Sequence, residues 1–398
     1  MSDAGPFGSG VSEVWVAVSS GGSEGVWWNQ ADGLFTQSQG TIHWATMVYT
    51  GGVSWSTAPT SWVSAAFTDG ASYRMHVKAK DAAGNWVNDQ TNPALSTISQ
   101  YFKYDTSRPT GTVSVPVNST NSAAGLLASG FSGSSADPNG GVKVVYLAVE
   151  KVDGPQAGSG FWNWGAKTYS IAAGSLGIPP GAGWTQVSST TLYDQFTLGW
   201  STPAPNELGT EMLLSSNTYR LAVAVVDQAN NTTLNPAAAG AGSTFHYDTQ
   251  VPTATITSPG YNLHYNLASL GQMLGTANDE ATGASGLKNV QVLLKSKQIG
   301  GGGAGAGYWN GGSTNDFADW DTGAGTKYSQ WRLATGLASW SLAFPTINFL
   351  DSTRFVLWVR ARDKSDNLSV VPSNGQLDTD LKADGNPALS FTFDNTQP

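Results

Sequence analysis

Cysteine is missing from all 398 residues of this chain. That excludes a disulfide framework and any zinc, haem or iron–sulfur site that depends on thiolates. Charge is scarce as well. Asp, Glu, Lys and Arg make up 12% of the residues, about half the usual quarter. The formal net charge is −9, and no Lys/Arg run offers an electrostatic footprint for nucleic acid. Four histidines leave little room for acid–base chemistry. No apolar run approaches the length of a membrane-spanning helix. The opening MSDAGPFGSG has no basic or apolar segment, so no signal peptide is expected in this stretch. What the chain does have is 48 glycines and 16 tryptophans. With 11% aromatics it is the opposite of a disordered composition. Its length suggests two to four domains.

Four sequence blocks recur three times in the same order. The first holds SGVSEVWVAV (Ser9 to Val18), GGVKVVYLAV (Gly140 to Val149) and SGLKNVQVLL (Ser285 to Leu294). Next come WWN (Trp27 to Asn29), FWN (Phe161 to Asn163) and YWN (Tyr308 to Asn310). The third is YRMHVKAKDAAGN (Tyr73 to Asn85), YRLAVAVVDQANN (Tyr219 to Asn231) and FVLWVRARDKSDN (Phe355 to Asn367). The last is YFKYDTSRP (Tyr101 to Pro109), TFHYDTQVP (Thr244 to Pro252) and FTFDNTQP (Phe391 to Pro398). The junction aspartates Asp105, Asp248 and Asp394 are 143 and 146 residues apart. Three units are expected, over 1–106, 107–250 and 251–398. Each full unit is long enough to bury its own core. The first lacks a counterpart of TGTVSVP (Thr110 to Pro116) and TATITSP (Thr253 to Pro259), its opening strand.

The third block has period two. Tyr73, Met75, Val77 and Ala79 alternate with Arg74, His76, Lys78 and Lys80, and Phe355 to Ala361 repeats the pattern. One face should be apolar and the other charged, with His76 solvated. In the second unit Ala222, Ala224 and Val226 predict a covered outer face. The D-x-x-x-N end reads as a hairpin turn. Gly84, Asn230 and Asp366 stand where a left-handed residue is wanted, and the opening Asp can accept backbone N–H bonds. No segment carries a sustained helical period, so helices should be short or absent.

The pattern Y-x-x-x-V-x-A-x-D-x-x-G-N followed by F-x-Y-D-T-x-x-P resembles tandem bacterial extracellular immunoglobulin-like repeats. It is also similar to fibronectin type III domains. The Gly275, Ala277, Asp279 block before Ser285-Gly286 extends the resemblance, as does Gly133 to Asp137 before Gly140-Gly141. The units exceed the roughly 100 residues of such a domain. The excess is a Gly/Trp-rich insert between the WN block and the long strand. Phe355 replaces the tyrosine whose hydroxyl would make a tyrosine corner.

Trp28, Trp162 and Trp309 have two readings: a platform for sugar rings, or the buried tryptophan of the third strand. Recurrence at one place in every unit favours the core. Trp44, Trp55, Trp62, Trp184, Trp200, Trp320, Trp331 and Trp340 lie in the insert, where exposed members would be better ligand contacts. Asp105, Asp248 and Asp394 are candidate calcium ligands between units. Asp81, Asp227 and Asp363, or Asp137 and Asp279, would complete the set. Turn chemistry is the competing reading, since no dense D-x-D-x-D loop is present. The histidines His43, His76, His246 and His264 do not recur at matching positions, and no nucleophile, zinc or phosphate-loop motif is found. Gly300 to Gly307 reads as a hairpin tip, and the sequons at Asn118, Asn230, Asn231 and Asn367 are weak signals.

The expected architecture is all-β: three tandem immunoglobulin-like antiparallel β-sandwiches in an elongated array. The expected role is non-catalytic. The chain would be a spacer rod and contact surface from a large extracellular, cell-surface adhesin-type protein, with no cofactor unless calcium. Its partners would be neighbouring repeats, other copies, or a cell-surface glycan or protein. Two alternatives remain open. One is a carbohydrate-binding module array of a secreted enzyme. The other is a filament subunit completed by strand donation.

Overall fold

The computed structural model describes residues 9–21, 25–37, 42–49, 54–56, 66–87, 99–116, 120–121, 130–153, 160–193, 195–202, 212–233, 243–279, 284–297, 307–309, 331–343, 349, 351–369 and 388–396. Among these the strands fall into three chain-consecutive groups, with no α-helix and with a 3₁₀ turn at Ala173–Ser175. No helix of the described residues is long and apolar enough to cross a membrane.

Each group is built around one antiparallel pair. The GV strands Val11–Ser20, Val142–Asp153 and Leu287–Lys297 pair with the long strands Ser72–Asp81, Asn217–Asp227 and Thr353–Asp363. A closing strand follows on the long strand's other side: Ser99–Lys103, Ser243–Tyr247 and Ala388–Phe393. The second and third groups add a facing sheet. There the opening strands Thr110–Val115 and Thr253–Ser258 pair with Ser132–Ala136 and Gln272–Asn278, which pair in turn with Thr197–Ser201 and Ser339–Ala343. Each of these groups also holds one short parallel pair, Thr120–Asn121 or His264–Tyr265 against the closing strand.

Period two explains the cores. Val145, Leu147 and Val149 point inward with Tyr219, Leu221, Val223 and Val225, meeting Val113, Val115, Leu198 and Trp200 of the facing sheet. The third group repeats this with Val290, Val292, Leu294, Phe355, Leu357 and Val359 against Ala254, Met273 and Trp340. The first gathers Val14, Val16, Val18, Tyr73, Val77 and Ala79. Tyr73 Oη accepts the Thr68 N–H at 2.7 Å and Tyr219 Oη the Leu214 N–H at 2.7 Å, a tyrosine corner that Phe355 cannot make.

The outer face corrects one expectation. His76 is fully buried, 5.5 Å from the Trp27 ring, and burial holds its pKa down at about 4. Trp358 occupies the same register in the third group and is also buried, as is Ala222 in the second. The insert folds back over this face. In the second group Phe161, Leu176 and Trp184 close over Ala148, Ala222 and Ala224, as the apolar outer residues there predicted. In the first group Lys78 of the charged face is stacked between aromatic rings, with Trp44 and Trp86 centroids 4.4 and 4.5 Å from Nζ. Arg360 stands 4.2 Å over Trp331 in the third.

Candidate cation sites at the unit junctions

Among the described residues, two places bring three carboxylates together. Asp105, Asp137 and Asp227 each place an oxygen within 4.8 Å of the others, and so do Asp248, Asp279 and Asp363. The strand ends explain the convergence. Asp105 and Asp248 follow the closing strand of one unit. Asp137 and Asp279 directly follow Ser132–Ala136 and Gln272–Asn278 of the next unit, and Asp227 and Asp363 end its long strand. One acid therefore follows the closing strand of the preceding strand group, and two come from strand ends of the following group.

Hydrogen bonds aim each group. Asp105 Oδ1 accepts the Ser107 N–H and Asp248 Oδ1 the Gln250 N–H, both at 2.9 Å, in turns that open the proline linkers. Asp137 Oδ1 accepts three N–H groups, from Asn139 (2.9 Å), Gly140 (2.6 Å) and Gly141 (3.0 Å). Asp227 is clasped by the Asn231 N–H (2.8 Å) and Nδ2 (2.9 Å), and Asp363 by Asn367 in the same way at 2.8 Å each. The same asparagine amides reach across the junction. Asn231 Nδ2 donates to the Asp105 carbonyl at 3.1 Å and Asn367 Nδ2 to the Asp248 carbonyl at 2.9 Å. Two further bonds tie Asp248 Oδ2 to the Ser285 N–H (2.8 Å) and Asp279 Oδ2 to the Gly286 N–H (2.7 Å). A Cβ on Gly140 would run into Asp105 Oδ2, so only glycine fits there.

Asp137, Asp227, Asp248 and Asp363 are 0% exposed, and Asp105 is 8% exposed. No salt bridge among the described residues reaches any of the six acids. Asp105 Oδ2, Asp137 Oδ2 and Asp279 Oδ1 are buried without a hydrogen-bond partner. Gathering anions out of water without a counter-charge is costly. Burial, reinforced by Asp137, Asp227 and Asp69, pushes the Asp105 carboxyl up to about 6. Asp227, Asp279 and Asp363 are also shifted upward, chiefly by burial.

The donor set is all oxygen, which suits a hard cation and not zinc or copper. Calcium binds oxygens at about 2.3–2.6 Å, so two of its ligands lie at most ~5 Å apart. The 4.8 Å limit on each cluster meets that condition. Three carboxylates leave several of calcium's six to eight positions for backbone carbonyls and water.

The other sequence candidates lie elsewhere. Asp394 is exposed, with its Oδ1 accepting the Thr396 N–H at 3.1 Å. Asp81 is clasped by Asn85 and joins neither cluster. Trp28, Trp162 and Trp309 are 2%, 2% and 7% exposed within the three cores, so their faces are not offered to solvent. Trp62, Trp320, Asn118 and residues 300–306 fall outside the described residues.

Sequence reasoning missed three features. The asparagine amides bridge the units. Trp44, Trp184 and Trp331 are equivalent, each preceding the short insert strand that pairs with the GV strand. Trp184 and Trp331 both follow their WN tryptophan by 22 residues, a signal that was there to be read. The third is a cleft of about 380 Å³ in the first group, lined by Trp28, Asn29, Gln30, Gln37, His43 and Trp44.

No protein-family model matches the chain, and no curated protein matches its sequence. The chain does match solved structures. One is a tetra-tandem repeat from the extending region of a large adhesion protein, 14% identical, TM-score 0.26, over 99% of this chain and 69% of that one. Another comes from work on host cell surface retention of a 1.5-MDa bacterial ice-binding adhesin, 14% identical, TM-score 0.30, over 96% of this chain and 87% of that one. The FN1–FN3 domains of chicken CNTN1 are 10% identical, TM-score 0.25, over 98% of this chain and 91% of that one. The chain is all-β, built of several mainly antiparallel sheets.

Proposed function

We propose that the chain is a non-catalytic spacer and contact segment of an extracellular adhesive protein, with calcium at the two acid clusters stiffening its junctions. The observation that carries this is the recurrence of one three-carboxylate arrangement at both junctions, each shared between adjacent units. A cation there neutralises buried charge and ties the end of one unit to the start of the next. Sites of this kind suit the millimolar calcium range of extracellular modules, with dissociation constants of roughly 10⁻⁴–10⁻³ M. Calorimetric titration should detect two calcium ions per chain. Calcium should raise the unfolding temperature and narrow the distribution of inter-unit angles seen by X-ray scattering. Identical melting and scattering in calcium and in chelator would overturn the proposal.

The cleft in the first group favours a second reading, glycan binding. Trp28 is buried, so the indole of the half-buried Trp44 would supply the apolar contact for a sugar ring, and Asn29, Gln30, Gln37 and His43 the polar part. Polysaccharide pull-downs with wild type and His43→Ala decide it. Retention that the substitution does not weaken counts against the cleft.

A further inference from the structure

The two acid clusters hold corresponding aspartates but differ in how those aspartates are bonded. In the first, Asp105 Oδ2 and Asp137 Oδ2 are both buried without a hydrogen-bond partner, on residues 8% and 0% exposed. In the second, backbone donors take up more of the charge. Asp248 Oδ2 accepts the Ser285 N–H at 2.8 Å and Asp279 Oδ2 the Gly286 N–H at 2.7 Å, which leaves Asp279 Oδ1 bare. The Gly140-Gly141 pair stands where the second cluster has Ser285-Gly286. Both of its N–H groups turn to Asp137 Oδ1, at 2.6 and 3.0 Å, so neither serves Asp105.

A fourth carboxylate stands beside the first cluster. Asp69 lies four residues before Tyr73, as Ser215 lies four before Tyr219. Asp69 Oδ1 accepts the Thr106 N–H at 2.7 Å and the Ser107 N–H at 3.2 Å. Asp105 Oδ1 accepts the same Ser107 N–H at 2.9 Å, so the two carboxylates converge on one donor. Asn139 Nδ2 reaches Asp69 Oδ2 from the following strand group at 2.9 Å. At the second cluster Ser215 Oγ accepts the Thr249 N–H at 2.9 Å and lies 3.3 Å from Asp248 Oδ1, adding no charge. Lys103, two residues before Asp105, donates to the Asn139 carbonyl, and no salt bridge among the described residues joins it to an acid.

We propose that the first cluster binds calcium more tightly than the second, with Asp69 and the bare oxygens of Asp105 and Asp137 setting the difference. The inference rests on the reading of both clusters as calcium sites. An ion gains most where anionic oxygens are buried and uncompensated. At the second cluster the N–H groups of Ser285 and Gly286 already balance part of the charge, so the ion gains less. The Asp69 charge strengthens the attraction at the first. Affinity in oxygen-ligand sites follows ligand charge count over decades, and a separation of about tenfold is expected. Between the two dissociation constants the first junction holds its ion while the second is empty. The chain would then stiffen in two stages as calcium rises.

Isothermal calorimetry of the full chain with calcium chloride tests this. Wild type should show two steps whose constants differ by about tenfold. Asp69→Ser changes an exposed position, and serine holds the same turn at the second junction. It should weaken the tight step roughly fivefold, the worth of one partly screened charge, and leave the weak step alone. Asp105→Asn should remove the tight step and Asp248→Asn the weak one, with melting curves showing that each variant is folded. Two ions bound with one common constant overturn the inequality and leave the calcium sites standing. A tight step lost in Asp248→Asn, or one that Asp69→Ser leaves unmoved, overturns it too. A chain that takes up no calcium overturns both this inference and the reading beneath it.

Discussion

The indole of Trp200 packs against Gly133 and that of Trp340 against Gly275, so closely that a Cβ at either glycine would collide with the ring. Gly133→Ala should therefore cost about 1–3 kcal/mol, the usual penalty of overpacking. Gly199, on the neighbouring strand, has open space where its Cβ would be, and Gly199→Ala should stay within about 0.5 kcal/mol. Urea unfolding of the two variants makes the comparison. Trp162→Ala should cost more, roughly 3–5 kcal/mol, because it empties a buried core position. His76 gives a residue-scale pH effect. Its folded pKa of about 4 lies below the ordinary 6.5, so between those values the unfolded chain binds more protons. Stability of the first unit should then fall as pH drops from about 6.5 to 4. His76→Leu should flatten that slope in denaturant titrations at pH 7 and pH 5.

The D-x-x-x-N hairpin is the element that joins a unit to its predecessor. Asn231 uses one amide both to hold Asp227 and to reach the Asp105 carbonyl. Asn231→Ala should weaken the second unit by about 1–3 kcal/mol, the cost of leaving buried acceptors unsatisfied. It should also lower calcium affinity at the first junction but not the second, which site-resolved titration can separate. Much of this element was legible beforehand. The period-two strands follow from alternation, and Gly84, Asn230 and Asp366 do take positive φ. The outer face was legible only where it was apolar, at Ala222 and Ala224. His76 read as solvated because a titratable side chain on a charged face usually is, yet the Trp27 ring of the WWN block lies against it, and Trp44 of the insert stacks on Lys78 of the same face. The recurring aspartates were visible too. Their meeting was not, because Asp137 and Asp227 lie on different sheets and only the sandwich brings those strand ends to one pole.

At the scale of the whole molecule the clusters predict a pH dependence that calcium reverses. Asp105, at about 6, and the raised Asp227, Asp279 and Asp363 bind more protons folded than unfolded as pH climbs from about 4 to 6. Metal-free stability should therefore fall over that window, the opposite of the His76 trend. Differential scanning calorimetry in chelator, on a His76→Leu background, should show melting temperature dropping between pH 4.5 and 7. In calcium the same scan should rise or stay level, because protons then compete with the ion. A falling scan in both buffers would count against cation binding.

The pairing of the long and closing strands also bears on what the chain does under tension. Within the second unit, Asp227 ends the long strand at one pole, and Asp248 follows the closing strand at the other. Between them the two strands are hydrogen-bonded in register from Asn217–Tyr247 to Leu221–Ser243. A pull that enters through one junction and leaves through the next therefore runs lengthwise along this ladder. Its rungs are loaded together in shear rather than peeled one at a time. Each ladder would therefore yield as a block rather than unzip rung by rung.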